Sequence, residues 1–354
     1  MYPRTVHRDP RGKGGAQKLI VTMRRGVTVF LLVTIVVLGF AVHSVWTLLG
    51  LLVATGREDA ILRGELPAPN SSAINDKPQL IPKIIHQTYI NESIPAHWKG
   101  PQQSCLDLHQ DYEYKLWTDK KSREFIAAEY PWFLETFDGY PYPIQRADAI
   151  RYFVLHHFGG IYIDLDDGCN RSLDPLLAYP AWVRRTLPTG ISNDAMGAVP
   201  RHPFFLKAID SLTDYNRRWP LPYITVMAST GPLFLSLIWR HYNNASPLDH
   251  ERVRILFPEE YNNHPWSFFT HHLGNSWHRT DVKIIFWLAK HWVLVTILGF
   301  ALGFTILGML YKFFVMNKRS TGPGSPKLRF LNQRMPFYRR ISQKSFELDD
   351  RHEV

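Results

Sequence analysis

The sequence predicts an α/β protein with a mainly parallel sheet and covering helices, flanked by two transmembrane helices. Three observations carry this. Two apolar runs, Val27 to Val53 and Trp292 to Met316, each exceed the roughly 20 residues that a spanning helix needs. Between them, short β-branched and aromatic runs alternate with helical patterns, as in parallel strands joined by helices. The stretch QRADAIRYFVLHHFGGIYIDLDDGCN, Gln145 to Asn170, reads as a helix, a glycine turn, a buried strand and a carboxylate cluster.

The formal charge of +10 would suit a nucleic-acid binder, but its distribution excludes that partner. Residues 1–26 hold seven Lys/Arg and one Asp, residues 317–354 hold nine Lys/Arg and four acids, and the remainder is close to neutral. A basic excess confined to tails beside apolar runs is a membrane-topology signal. Arg24 and Arg25 precede the first run, and Lys318 and Arg319 follow the second. The positive-inside rule then places both tails in the cytosol and residues 54–290 across the membrane. The expected organisation is a basic tail (1–26), a span (27–53), a polar connector with Pro67, Pro69 and Pro78 (54–80) and a folded domain (81–280). A membrane-proximal segment (281–291), a second span (292–316) and a second basic tail (317–354) follow. Four Asn-x-Ser patterns, at Asn70, Asn91, Asn170 and Asn244, agree weakly with a secretory lumen. Cys105 and Cys169 could pair there.

Ile81 to Thr88 reads as the first strand, running into a polar edge where His86 and Gln87 are placed to touch a ligand, because ligands of open α/β sheets sit at the carboxyl ends of strands. Tyr112 to Trp117 alternates as a second strand, and Lys121 to Tyr130 reads as a helix stopped by Pro131. In the organising stretch, Ala147, Ile150, Val154 and Phe158 recur at helical spacing with Asp148 and Arg151 between them. Gly159-Gly160 ends the helix, because a left-handed cap has no room for a β-carbon. Ile161 to Ile163 is a strand, and Asp164, Asp166 and Asp167 follow its end. Alternation points Asp164 and Asp166 the same way, so they can share one hard divalent cation. Such a cation can grip a diphosphate and carry its charge as it leaves.

Downstream, Trp182 to Leu187 reads as a short strand or loop. Asn193 and Asp194 could hydrogen-bond a sugar hydroxyl or form an Asx turn. Helices are expected over Phe204 to Asp214 and Leu233 to Arg240, the latter opened by Thr230-Gly231-Pro232, whose free N–H groups suit an anion or a sugar. Ile255 to Pro258 is a further strand. Phe268 to Trp277 closes the domain, and His271 or His272 could supply a third metal ligand. Sugar transfer would use the metal and Arg151 to stabilise the leaving diphosphate, and Asp148 and Asn193 to orient the donor. Asp194 is a candidate carboxylate nucleophile, with same-face attack as the alternative route.

The runs IPKIIHQTY, QRADAIRYFVLHHFGGIYIDLD, SNDAMGAVPRHPF and HHLGNSW occur in this order in glycosyltransferase family 32, which residues 80–280 resemble. The resemblance implies a GT-A fold, a nucleotide-sugar donor, Mn²⁺ (or Mg²⁺) and retention of anomeric configuration. Asp164 and Asp166 match the DxD, which reaches the metal and the donor ribose. Asp148 and Arg151 match the pair that holds the donor sugar and phosphate. Asn193 and Asp194 match the region facing the hexose, and His271 or His272 the late metal ligand. A DxD enzyme with a span on either side is similar to the fungal members that mannosylate inositol phosphorylceramide. That implies GDP-mannose as donor, inositol phosphorylceramide as acceptor, a Golgi membrane and a membrane-bound regulatory subunit. Rival readings are a Golgi glycan mannosyl- or galactosyltransferase, a DxD-type phosphatase with Asp164 as nucleophile, and a non-catalytic regulator.

Overall fold

The computed structural model describes residues 28, 31–43, 46, 48–68, 77–186, 189–258, 264, 266–272 and 280–313. The two basic tails, Asn70 and residues 273–277 of the closing motif lie outside the described residues. Those of 45–287 form one compact unit, and those of 1–44 and 288–354 another.

The first unit is the α/β domain. Its elements in chain order are β1 (Ile84–Tyr89), α2 (Ala96–Leu108), β2 (Glu113–Thr118), α3 (Asp119–Glu129), α4 (Leu134–Asp138), α5 (Pro143–Phe158), β3 (Gly160–Ile163) and β4 (Asp167–Cys169). Then come β5 (Ala181–Arg185), β6 (Ile191–Ala198), α6 (Pro203–Tyr215), α7 (Pro222–Ser229), α8 (Pro232–Asn244), β7 (Val253–Leu256), β8 (Phe269–His271) and α9 (Thr280–Lys290), which runs on into the second unit. The second unit contains α1 (Leu31–His43) and α10 (Trp292–Tyr311). α10 is long and apolar enough to cross a membrane, with a mean hydropathy of 2.4 and no buried share. Residues 222–244 pass the same length test but are more than half buried. They form α7 and α8, separated at Thr230-Gly231, inside the domain core.

Six strands form one sheet in the order β2-β1-β3-β6-β5-β7, with β6 running against the other five. β4 and β8 pair antiparallel as a separate two-stranded ribbon. The expected mainly parallel sheet is therefore present, and β3 sits inside it. Successive residues of β3 face opposite ways, as a strand requires. Ile161 and Ile163 enter one apolar cluster with Ile85, Trp182 and Phe269, and Tyr162 enters the other with Phe153, Met196 and Phe234.

The turn between α5 and β3 needs both glycines. Gly159 has φ 67° and Gly160 φ 92°. A β-carbon on Gly160 would lie 2.7 Å from the Ile84 carbonyl oxygen. The sheet thus closes against the helix end only where no side chain exists.

Several features differ from the sequence reading. The stretch expected as a polar connector is partly folded onto β7. Residues 57–59 and 63–65 form 3₁₀ turns, Ile61 is buried, and Ala60 bridges to Ile255. Asp59 accepts from Arg252 and Asn243, and Glu65 from Arg254. Leu51, within the expected first span, belongs to the domain core. The charges that read as linker composition have partners some 190 residues away, which local composition cannot reveal. α2 carries Pro101 in its interior and no apolar stripe, so periodicity does not signal it.

Gly160→Ala is expected to destabilise the domain by about 2 kcal/mol or more. Chemical denaturation of the detergent-solubilised protein checks this.

Candidate active site

The carboxylate cluster is held by backbone on both sides. The Asp164 N–H donates to the Asp194 carbonyl at 2.8 Å, tying the end of β3 to β6. The Asp167 N–H closes a turn onto the Asp164 carbonyl at 3.0 Å, and the His272 N–H donates to the Asp166 carbonyl at 2.8 Å. β4 then pairs with β8 in a register that sets Asp167 opposite His271. Cys105 and Cys169 form a disulfide that fastens β4 to α2.

Behind this turn lies a buried polar network centred on Arg151, which is 3% exposed. Its Nη1 donates to the Asn193 carbonyl at 2.6 Å and lies 3.2 Å from Asp164. Its Nη2 lies 3.2 Å from Asp148 Oδ1, and the guanidinium carbon sits 4.5 Å from the Tyr162 ring centre. Asp148 accepts from Asn193 Nδ2 at 3.0 Å and from Thr230 Oγ1 at 3.1 Å. Tyr152 accepts from Asn193 Nδ2 and donates to the Thr230 carbonyl at 2.6 Å. Tyr162 donates to Asp164 Oδ1 at 2.6 Å, so Thr88, 2.8 Å away, donates to Tyr162. Burial pushes the Asp148 carboxyl up, against the pull of Arg151, Thr230 and Asn193. The surrounding carboxylates keep Arg151 charged despite its burial.

Arg151, Asp164 and Asp166 face a cavity of about 450 Å³, together with Thr88, Tyr89, Trp98, Trp117, Asp119 and Arg146. That volume suits a small-molecule ligand. The other candidate site residues do not line it. His86 is fully buried, with Nε2 donating to the Gly159 carbonyl at 2.9 Å and Nδ1 accepting from Trp117 Nε1 at 3.0 Å. Burial lowers its pKa to about 4, so it is a neutral structural residue. Gln87 is equally buried and accepts from Tyr114. The ligand-facing end of β1 is therefore Thr88 and Tyr89, two residues further along than His86 and Gln87. Asp148 and Asn193 lie beneath the cavity and hold Arg151. Asp194 accepts from the Ala195 N–H at 2.7 Å and lies 3.4 Å from Arg184. The Thr230-Gly231 helix start faces Asp148 through the threonine hydroxyl and does not open onto the cavity.

Sequence reading assigned no role to Asp167 and missed Arg184. The two form a buried pair at 2.6 Å, and Asp167 Oδ1 also meets His271 Nδ1 at 2.9 Å. That bond raises the His271 pKa against its partial burial. It fixes the ring of His271; His272 is exposed. Arg184 looks like an ordinary strand residue in sequence, and only the fold brings it to β4.

The donor set fits a hard divalent cation. Burial and the neighbouring Asp166 push the Asp164 pKa up to about 7 against Arg151. Burial and Asp167 push that of Asp166 up to about 6. Two crowded carboxylates in a low dielectric favour a cation. Among the described residues no three His, Cys, Asp or Glu side chains converge to enclose a metal. A cation on Asp164 and Asp166 would thus complete its shell with ligand oxygens and water, as Mg²⁺-like ions do.

Residues 95–182, which include α5 and the carboxylate turn, match the model of the glycosyltransferase sugar-binding region containing the DXD motif. Over 292 residues the chain is 52% identical to mannosyl phosphorylinositol ceramide synthase SUR1 of Saccharomyces cerevisiae, covering 82% of this chain and 75% of that protein. Over 251 residues it is 50% identical to inositol phosphoceramide mannosyltransferase 2 of Schizosaccharomyces pombe, covering 70% and 73%. The chain belongs to the DXD glycosyltransferase family. In this glycosyltransferase, Asp164-Leu165-Asp166 is the DXD motif of the matched region.

Two outcomes follow from the geometry. Because Asp164 and Asp166 retain protons well above the ordinary carboxylate range, Mn²⁺ affinity should fall as pH drops from 7.5 to 5.5, by roughly tenfold or more. Tryptophan fluorescence titration, with Trp98 and Trp117 in the cavity, reads this. Asp167→Asn, which leaves Arg184 buried beside a neutral amide, should cost about 3 kcal/mol of stability, read by denaturant unfolding.

Proposed function

We propose that this glycosyltransferase is a retaining mannosyltransferase that moves mannose from GDP-mannose to inositol phosphorylceramide in sphingolipid synthesis. The observation that carries this reading is the 52% identity, running through 82% of the chain, with a relative named for that product. The cavity agrees in chemistry, since it gathers a buried arginine and two cation-ready carboxylates.

Asp164 and Asp166 would hold Mn²⁺ or Mg²⁺, and the His271 ring, oriented by Asp167, acts on the charge of Asp166. The bound cation supplies charge against the departing diphosphate. Arg151 adds a fixed positive charge beside it, and Asp148 and the Asn193 carbonyl hold the guanidinium in place. The bond from mannose C1 to the β-phosphate oxygen breaks, and a bond from C1 to an inositol oxygen forms. The inositol proton passes to the leaving phosphate. The Asp194 carboxylate is engaged by the Ala195 N–H and Arg184, which supports the same-face route over a covalent intermediate. Asp119 and Arg146, both lining the cavity, complement a guanine edge. A carboxylate accepts from N1–H and the 2-amino group, and a guanidinium donates to O6 and N7.

α10 suits a membrane span, and the shorter α1 lies within the longer apolar run 27–53. The disulfide suits an oxidising lumen, so we place the domain in the Golgi lumen with both tails cytosolic. A membrane-bound regulatory subunit belongs to the same reading, tested by its co-purification from Golgi membranes.

The direct test incubates the purified full-length protein with Mn²⁺, GDP-mannose and vesicles containing inositol phosphorylceramide, and reads lipids by mass spectrometry. A product heavier by one hexose is expected; an unchanged lipid beside active wild-type homologue contradicts the reading. Asp166→Ala should lose at least about a hundredfold in rate with an unchanged unfolding temperature. Arg151→Lys should lose about tenfold or more, since a point charge does not replace a planar fork. Asp119→Asn should raise KM for GDP-mannose several-fold and leave the lipid KM unchanged.

A further inference from the structure

The same cavity has a wall that the donor and cation chemistry does not use. It is made by Pro222, Tyr223 and Val226 of α7 and by Asp281 and Val282 of α9. Asp281 Oδ2 accepts the Tyr223 N–H at 2.7 Å, which locks the start of α9 to the start of α7. Val282 is buried, and Phe286, one turn on, meets the Tyr223 ring at 6.4 Å between centroids. The rest of this helix face is exposed. Ile284, Phe286 and Trp287 are 51%, 55% and 53% exposed, and Lys283 and Lys290 are exposed among them. An apolar and aromatic helix face with interspersed lysines is the composition of a segment lying in a membrane interface.

The chain then fixes how far this wall can be from a bilayer. α9 ends at Lys290 and α10, apolar for 20 residues, starts at Trp292. From Val282 to Lys290 the helix rises about 12 Å at 1.5 Å per residue. Val282 is thus ten residues along the chain from the first residue of a candidate span, and an interfacial helix dips about 5–10 Å into the headgroup layer.

We propose that this α7–α9 wall is the entrance for the acceptor lipid. The phosphoinositol head enters the cavity past Tyr223 and Val282, while Ile284 and Trp287 rest in the interface and hold the entrance at headgroup depth. This rests on the lipid-acceptor reading above and adds the subsite to it.

The test uses full-length protein reconstituted in vesicles. Ile284→Ser combined with Trp287→Ser should raise the apparent KM for vesicle-borne inositol phosphorylceramide about fivefold or more, leaving Mn²⁺-dependent GDP binding unchanged. An unchanged lipid KM overturns the proposal. Independently, Trp287→Cys labelled with bimane should be quenched by doxyl-labelled lipids; absence of quenching overturns it even if the double variant folds poorly. If wild-type protein transfers no mannose to the lipid while bimane is quenched, the acceptor reading fails and the membrane-facing wall stands. If transfer proceeds and bimane is not quenched, the reverse holds.

Discussion

Arg151 is a permanent charge with almost no access to water, and a guanidinium stays in such a place only while acceptors surround it. Asp148, Asp164 and the Asn193 carbonyl supply them from α5, the end of β3 and β6. The same contacts tie together three elements that are distant in sequence or pointed in different directions. Positioning the arginine therefore positions the first aspartate of the DXD turn. The charge is neutralised on its inner side by Asp148 and offered on its outer side to the cavity, so it meets an anion without having to reorganise.

The second aspartate depends on a different support. Asp166 sits between the β3 end and the β4–β8 ribbon, whose place is set by the disulfide to α2 and by Asp167 bridging Arg184 and His271. Burial forces both Asp164 and Asp166 to hold protons above the ordinary carboxylate range. A cation held by these two carboxylates would exchange for those protons and relieve the crowding.

Much of this was legible in the sequence. The α5 helix, the paired glycines and the β3 strand end within two residues of their expected positions, because periodicity and left-handed turn chemistry are local. Asp164, Asp166 and Arg151 were likewise readable from motif and spacing, and all three face the cavity. His86 and Gln87 were not, because a strand-end polar pair looks the same whether it meets a ligand or, as here, Gly159, Trp117 and Tyr114. Asp148 and Asn193 were assigned to the donor, yet they grip the arginine from below, a distinction of depth that spacing does not encode. Arg184, Tyr152 and Thr230 carry no local signal, and Asp167 acquires meaning only when β4 meets β8. The folded part of the expected connector escaped for the same reason, since its ion pairs reach to β7.

The reading proposed here is a cation-dependent diphosphate site whose positive side is the buried Arg151 and whose negative side is Asp164 and Asp166. Calorimetric titration of GDP into the full-length protein, with and without Mn²⁺, tests it most directly. GDP should bind only with the metal present, and Asp166→Asn should weaken that binding at least about tenfold. Equal GDP affinity in the absence of metal, or in the variant, would contradict it.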